Sequence, residues 1–230
     1  MGARGRVSVI IPWAADNPCH HRTAALDWVR PRWRALGHHV LVGETQGPWC
    51  KARAVADALP AATGELLVIA DADCWSPGTP AALEAVRDGA PWAMPHGPVH
   101  RLTPDATAQV LAGVAPHPRM PVTQRPYQGW PGGGIVVVRR DVYEQAPLDP
   151  RFTGWGGEDE SWAHALTTLA GPPWRGRAPL WHLWHPPQDR MSRRWGSPEA
   201  RELAGRYRKA ARSPAAMRAL VDEAGKEIFT

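Results

Sequence analysis

The chain is short of cysteine, of lysine and of long apolar runs, and each shortage narrows what it can be. Its three cysteines, Cys19, Cys50 and Cys74, are scattered over 230 residues without a CxxC pair. Neither a disulfide framework nor a zinc ribbon follows from that spacing, and reduced thiols are expected. The longest unbroken apolar run is Leu66 to Ala70, far below the length that crosses a bilayer. The apolar stretch Val7 to Trp13 is broken at Pro12 and lacks a small-residue cleavage site. It reads as a first buried strand and not as a secretory leader, so a cytoplasmic location is expected. Lys51, Lys209 and Lys226 are the only lysines, so the net charge of +5 is carried by arginine. That balance suits an anionic partner such as a nucleotide, a nucleic acid or a membrane surface, and equally a solvated surface in an arginine-rich composition. Phenylalanine and tyrosine are scarce, at 2 and 3 residues, against 13 tryptophans. Indole rings anchor cores, and their flat faces also stack on sugar rings.

The length suits one sizeable domain with a short appendage. Val7–Ile11, His39–Val42 and Leu66–Ala70 read as short buried strands. Thr23–Leu36, Trp49–Leu59 and Thr79–Arg87 between and after them have helical spacing. This strand and helix alternation predicts an α/β domain with a mostly parallel central sheet flanked by helices. From Pro91 to Pro131 the chain is dense in Pro, His and Gly. An irregular stretch is expected there, with one helix near Pro104–Leu111. Ile135–Val138 returns as a buried strand, Glu158–Leu169 as a helix, and Leu180–Trp184 as a short strand. Residues 190–230 read as a basic helical extension of a domain spanning 1–189. Arg190, Arg193, Arg194, Arg201, Arg206, Arg208, Lys209 and Arg212 lie on it. It either meets an anionic surface, at the inner face of a membrane or on nucleic acid, or packs Leu203, Tyr207, Met217 and Leu220 on the domain.

Three motifs carry chemistry. Asp71-Ala72-Asp73 follows the apolar run directly. Carboxylates at the carboxyl end of a buried strand stand where open α/β sheets bind ligands. In an extended segment the two would point to the same side. Two hard oxygen ligands suit Mg²⁺ or Mn²⁺, with phosphate oxygens completing the shell; the pair also fits turn residues capping the next helix. Gly154-Trp155-Gly156-Gly157-Glu158-Asp159-Glu160 places a stacking face and close backbone approach before an acidic helix start. His182-Leu183-Trp184-His185 offers two imidazoles at a spacing that can meet on one metal, or two structural histidines.

In that order the three motifs resemble the GT-A fold glycosyltransferases. They are closest to the family-2-like bacterial enzymes and to the galactosyltransferase family with its GWGxED signature. The resemblance implies a Rossmann-like nucleotide-diphospho-sugar transferase fold, a UDP-sugar or related donor, and Mn²⁺ or Mg²⁺. It assigns Asp73, with Asp71, to metal and donor, and His185, with His182, to the same metal. Asp159 matches the general base of inverting members, and Glu158 a group on the acceptor or donor sugar. Pro12, at the end of the first strand, and Arg53, on the helix leading to Asp71, fall on the nucleotide side. Gly133 and Gly134 of Gly132-Gly133-Gly134 match the donor-sugar loop, and Trp155 adds a stacking face beside it. Leu148-Asp149-Pro150-Arg151-Phe152 is similar to the family's approach to the acidic motif. The implied reaction moves a hexose or N-acetylhexosamine to an acceptor hydroxyl on a glycan, lipid-linked glycan, protein or modified nucleic acid. A nucleotidyltransferase would share the carboxylate pair, but Pro12-Trp13-Ala14-Ala15 is no phosphate-binding glycine loop. A catalytically inactive sugar- or nucleotide-binding protein would have no need of the full acidic set.

Overall fold

The computed structural model describes residues 6–16, 19–187 and 196–226. Arg190, Arg193 and Arg194, read above as part of the basic segment, lie outside them. In chain order the elements are β1 (Val7–Ala14), α1 (His20–Ala35), β2 (His39–Thr45), α2 (Lys51–Ala58), β3 (Leu66–Ala70), β4 (Cys74–Trp75), α3 (Thr79–Arg87) and β5 (Trp92–Arg101). There follow α4 (Pro104–Leu111), β6 (Tyr127–Gln128), β7 (Ile135–Arg139), α5 (Arg140–Gln145), α6 (Glu158–Ala170), β8 (Trp174–His182), α7 (Pro198–Ala210) and α8 (Pro214–Lys226).

The strands form one eight-stranded sheet in the order β2-β1-β3-β7-β5-β8-β4, with β6 on β5. Alternation along each strand divides the core in two. Ile10, Leu67, Ile69, Val136 and Val138 face α2, α5, α6, α7 and α8. Val9, Ile11, Val68, Ala70, Ile135 and Val137 face α1, α3 and α4. A sheet buried on both faces needs near-continuous apolar strands, which is why β3 and β7 read as LLVIA and IVVV.

The sheet is mixed, its longest pairings parallel as expected and joined through antiparallel ones. β1 pairs β2 and β3 in parallel, and β5 pairs β8 in parallel. β7 is antiparallel to both β3 and β5, and β4 and β6 are antiparallel to β8 and β5. β5 was read as irregular, yet it spans ten residues inside the sheet. Its sequence, WAMPHGPVHR, carries prolines that cannot donate to a ladder. The register against β8 shifts between Met94 and His96 and again between His96 and Val99. Pro95 and Pro98 fall inside those irregularities, so the strand keeps its place without the missing N–H groups.

Leu203, Tyr207, Met217 and Leu220 are buried in the same core as the sheet. Arg201, Arg206, Arg208, Lys209 and Arg212 are exposed. A buried knot ties this end to the acidic segment. Tyr207 donates to Asp149 Oδ2 at 2.8 Å, and Arg151 pairs with the same oxygen at 2.7 Å. Arg151 also donates to the Leu220 carbonyl. Among the described residues no helix is long and apolar enough to cross a membrane.

Candidate active site

The segment after β3 does not stay extended. The Cys74 N–H donates to the Asp71 carbonyl at 3.1 Å, which closes a β-turn over Asp71-Ala72-Asp73-Cys74. The two carboxylates thus stand on a turn and not on an extended segment, Asp71 paired with Lys51 and Asp73 with the histidines. The Asp71 N–H donates to the Gly134 carbonyl at 2.8 Å, and the Asp73 carbonyl accepts from Leu183 N–H at 2.8 Å. The turn is thus stitched to the glycine loop on one side and to the end of β8 on the other.

Asp73 is 6% exposed and meets the two histidines. Its Oδ2 lies 3.1 Å from His185 Nε2, and its Oδ1 lies 3.7 Å from His182 Nε2. The Cys74 thiol donates to Oδ1 at 3.4 Å. Burial alone would raise the Asp73 pKa, but His182, His185 and Arg22 outweigh it and hold the carboxyl well below its usual range. His182 Nδ1 lies 2.9 Å from the Leu183 carbonyl. A carbonyl only accepts, so Nδ1 carries the proton. Burial pushes His182 down to about 4, against the pull of Asp73 and with help from Arg101. A neutral ring then presents the Nε2 lone pair, and Arg101 Nη1 donates to it at 3.0 Å.

Asp71 Oδ1 lies 2.8 Å from Lys51 Nζ, and the same ammonium is 2.8 Å from Asp159 Oδ1. Lys51 is 5% exposed and opens α2, where the helix dipole disfavours a cation. Burial lowers its pKa, but Asp159 and Asp71 overturn this and set it well above the ordinary lysine value. A compact ammonium with three donors serves both carboxylates at once. Lys51 was not singled out as a site residue, although a lone lysine among arginines just ahead of the acidic turn was a usable signal. Replacing it by Met leaves two carboxylates without their shared cation. Each keeps a third of its side chain exposed, so the expected loss is about 2–3 kcal/mol, below that of a fully buried pair. Urea melts of Lys51→Met against wild type measure it, and an unchanged midpoint would count against the bridge.

The glycine loop runs into the first turn of α6. Gly132 has φ +86°, and a Cβ there would sit 2.1 Å from the Asp159 carbonyl oxygen. A Cβ on Gly133 would lie 3.1 Å from Asp159 Oδ2. Only glycine lets this loop close on α6. His96, a second residue that sequence reasoning missed, reaches Gly133 from β5. Its Nε2 donates to the Gly133 carbonyl at 3.3 Å, and burial pushes its pKa down to about 4. It was hidden because β5 itself was unread.

Glu158 Oε2 accepts from the Gly156 N–H at 2.9 Å. Burial and then the charge of Asp159 push Glu158 up to about 7. Asp159 is raised by burial and restrained by Lys51. Trp155 is half-buried, and Trp130, just before the loop, is 64% exposed. A cleft of about 360 Å³ opens there between Trp130, Pro131, Pro173 and Arg175. A larger cavity of about 520 Å³, lined by Arg6, His39 and Arg87, lies at the amino ends of β1 and β2, away from these groups. Pro12 is buried in β1 opposite Gly43. Arg53 is exposed two residues past Lys51, on a different face of α2. The structure therefore gathers Asp73, His182 and His185 in one cluster and Asp71, Asp159 and the Gly133–Gly134 loop in another, with Lys51 between the acids.

Among solved structures the chain superposes on GalNAc-T7, crystallised with UDP, GalNAc and Mn²⁺, at a TM-score of 0.53 and 14% identity. The match covers 90% of this chain and 48% of that one. The chain has the GT-A fold. It spans about half the length of GalNAc-T7. A mannosyltransferase from Pyrobaculum calidifontis, in complex with GDP-Man and Mn²⁺, matches at 0.48 and 18% identity, over 96% of this chain and 69% of that one. Glucosyl-3-phosphoglycerate synthase from Mycobacterium tuberculosis matches at 0.45 and 15% identity, over 93% and 80%. No family model and no curated protein matches the sequence. Within the GT-A frame, the Asp71–Cys74 turn and the glycine loop lie at the carboxyl end of β3, where open α/β sheets take their ligands.

Proposed function

We propose that the chain is a metal-dependent glycosyltransferase that moves a hexose or N-acetylhexosamine from a UDP-sugar to an acceptor hydroxyl, with inversion. One observation carries this reading. Lys51 joins the carboxylate turn after β3 to Asp159, and Asp159 in turn abuts the Gly132–Gly134 loop. On this reading metal site, sugar loop and base candidate share one crevice of a GT-A fold.

The residues present fit a divalent cation. Each oxygen of Asp73 faces one imidazole Nε2, and His182 turns its Nδ1 to the Leu183 carbonyl. Asp73, His182 and His185 would hold it, with Asp71 across the turn. When bound, such an ion neutralises charge on a departing nucleoside diphosphate. The chain's own groups do the rest. Arg22 and Arg101, each on one histidine, add positive charge at the rim. Glycine at 133 and 134 lets a sugar approach the backbone. Lys51 holds Asp159 through Oδ1, so the carboxylate is oriented while Oδ2 faces the loop. From there Asp159 accepts the proton of an attacking acceptor hydroxyl, a role that needs hydrogen-bond reach and a suitable pKa. Glu158, turned back on Gly156, shapes the sugar site. Pro12 and Arg53 are read as lying toward the nucleotide, and Trp155 and Trp130 as stacking faces for sugars. The acceptor class stays open among glycan, lipid-linked glycan, protein and nucleic acid. The exposed arginines of α7 are a means of meeting an anionic acceptor or membrane face.

Titration calorimetry with a panel of nucleoside diphosphates, in Mn²⁺, in Mg²⁺ and in EDTA, tests the reading. Metal-dependent binding of one of them, UDP first, is expected. A folded protein that binds none in either metal would sink it.

A further inference from the structure

We propose that Cys74 is a ligand of the metal centre beside Asp73, His182 and His185, and that the completed set takes zinc in preference to manganese or magnesium. The proposal rests on Asp73 being a metal ligand and extends that reading to a further residue and to the choice of metal.

Adjacent residues of an extended strand point to opposite faces, which would carry the Cys74 sulfur away from Asp73. The β-turn over Asp71–Cys74 cancels that divergence, and Sγ lies 3.4 Å from Asp73 Oδ1. The other half of the geometry comes from the sheet. β4 pairs β8 antiparallel with Cys74 opposite His182, and directly opposed residues share a face. One donor atom each from Asp73, Cys74 and His182 lies within 4.8 Å of the others. His185 reaches the second oxygen of the same carboxylate.

The hydrogen bonds around the set are those of prepared ligands. His182 spends Nδ1 on the Leu183 carbonyl at 2.9 Å, which fixes the ring with Nε2 on the Asp73 side; Arg101 donates to that Nε2 at 3.0 Å, and an ion would take the place of this donor. Cys74 is 1% exposed and its thiol hydrogen is already directed at Asp73. On ligation that proton leaves to solvent, and the thiolate is neutralised by the cation.

Donor chemistry then selects the metal. Mg²⁺ and Mn²⁺ favour oxygen ligands, whereas a thiolate and an imidazole beside one carboxylate suit zinc. Zinc is therefore expected to compete with manganese for these donors.

Cobalt(II) added to the whole chain, without nucleotide, is the test. Cobalt should bind with tetrahedral ligand-field bands and a thiolate-to-cobalt charge-transfer absorption. The absorption should vanish in Cys74→Ser, persist in Cys19→Ser, and be bleached by zinc. In competition titrations Cys74→Ser should weaken zinc by about tenfold or more while manganese changes little. The wild-type spectrum is a readout that does not depend on any variant folding. Cobalt bound without the thiolate absorption, an absorption that survives Cys74→Ser, or no cobalt binding at all would each overturn the proposal. Manganese-dependent UDP binding is read separately by calorimetry. Its loss with the thiolate absorption intact would strike the glycosyltransferase reading and spare this one.

Discussion

Replacing Asp159 by Asn abolishes transfer and leaves the donor bound, if the carboxylate is the base. The change is nearly isosteric. The amide oxygen still accepts from Lys51, which pairs with Oδ1 at 2.8 Å, and Asp71 remains as the partner of that ammonium. The Gly132–Gly134 loop abuts the Asp159 backbone and keeps its seat, because a carbonyl oxygen and not the carboxylate sets that contact. What goes is the capacity to take a proton from an acceptor hydroxyl, worth about 10²–10⁴ in rate for a positioned base. Release of nucleoside diphosphate from the donor identified by calorimetry, followed beside donor binding, checks both halves. Transfer near the wild-type rate would move the base to another group. Glu158, which burial and Asp159 push up to about 7, is the next candidate.

For Asp73→Ala the expected result is loss of metal-dependent nucleotide binding, by about 100-fold or more, with the residual affinity in EDTA unchanged. Asp73 is the point at which both imidazoles converge, so its removal dissolves the cluster instead of trimming it. The fold should tolerate the change. Burial keeps His182 neutral at pH 7, so no uncompensated charge is left behind there. The acid limb of stability should change as well. The folded-state pKa of Asp73 lies below its ordinary 3.8. It therefore contributes stability above that pH which is lost as pH falls through the folded value. Between about pH 5 and pH 2 the Ala variant should lose less stability than wild type. Calorimetry in metal and in EDTA, with melts across that range, measures all three. Equal metal-dependent binding by the variant would remove Asp73 from the site.

Particular residues show what was legible in the sequence. The buried strands β3 and β7, the helices α3, α4 and α6 and the order of the three motifs were readable because each depends on local pattern. Apolar runs mark strands buried on both faces, and an apolar stripe marks a helix that covers them. The central strand β5 was not readable. Its prolines argue against a ladder position until the register shifts against β8 are known. The turn that carries Asp71 and Asp73 was not readable for a similar reason, since one turn hydrogen bond outweighs the strand period that precedes it.

The sequence by itself determined which chemical groups are present and in what order: the carboxylates after an apolar strand, the glycine loop, the acidic helix start and the paired histidines. Tertiary structure decided which of them meet. Lys51 stands 108 residues from Asp159 in the chain, and the β4–β8 pairing brings Cys74 opposite His182. Contacts of that range are closed by sheet order and strand register. They answer to burial summed over the whole core and not to any local preference, so no window of sequence contains them.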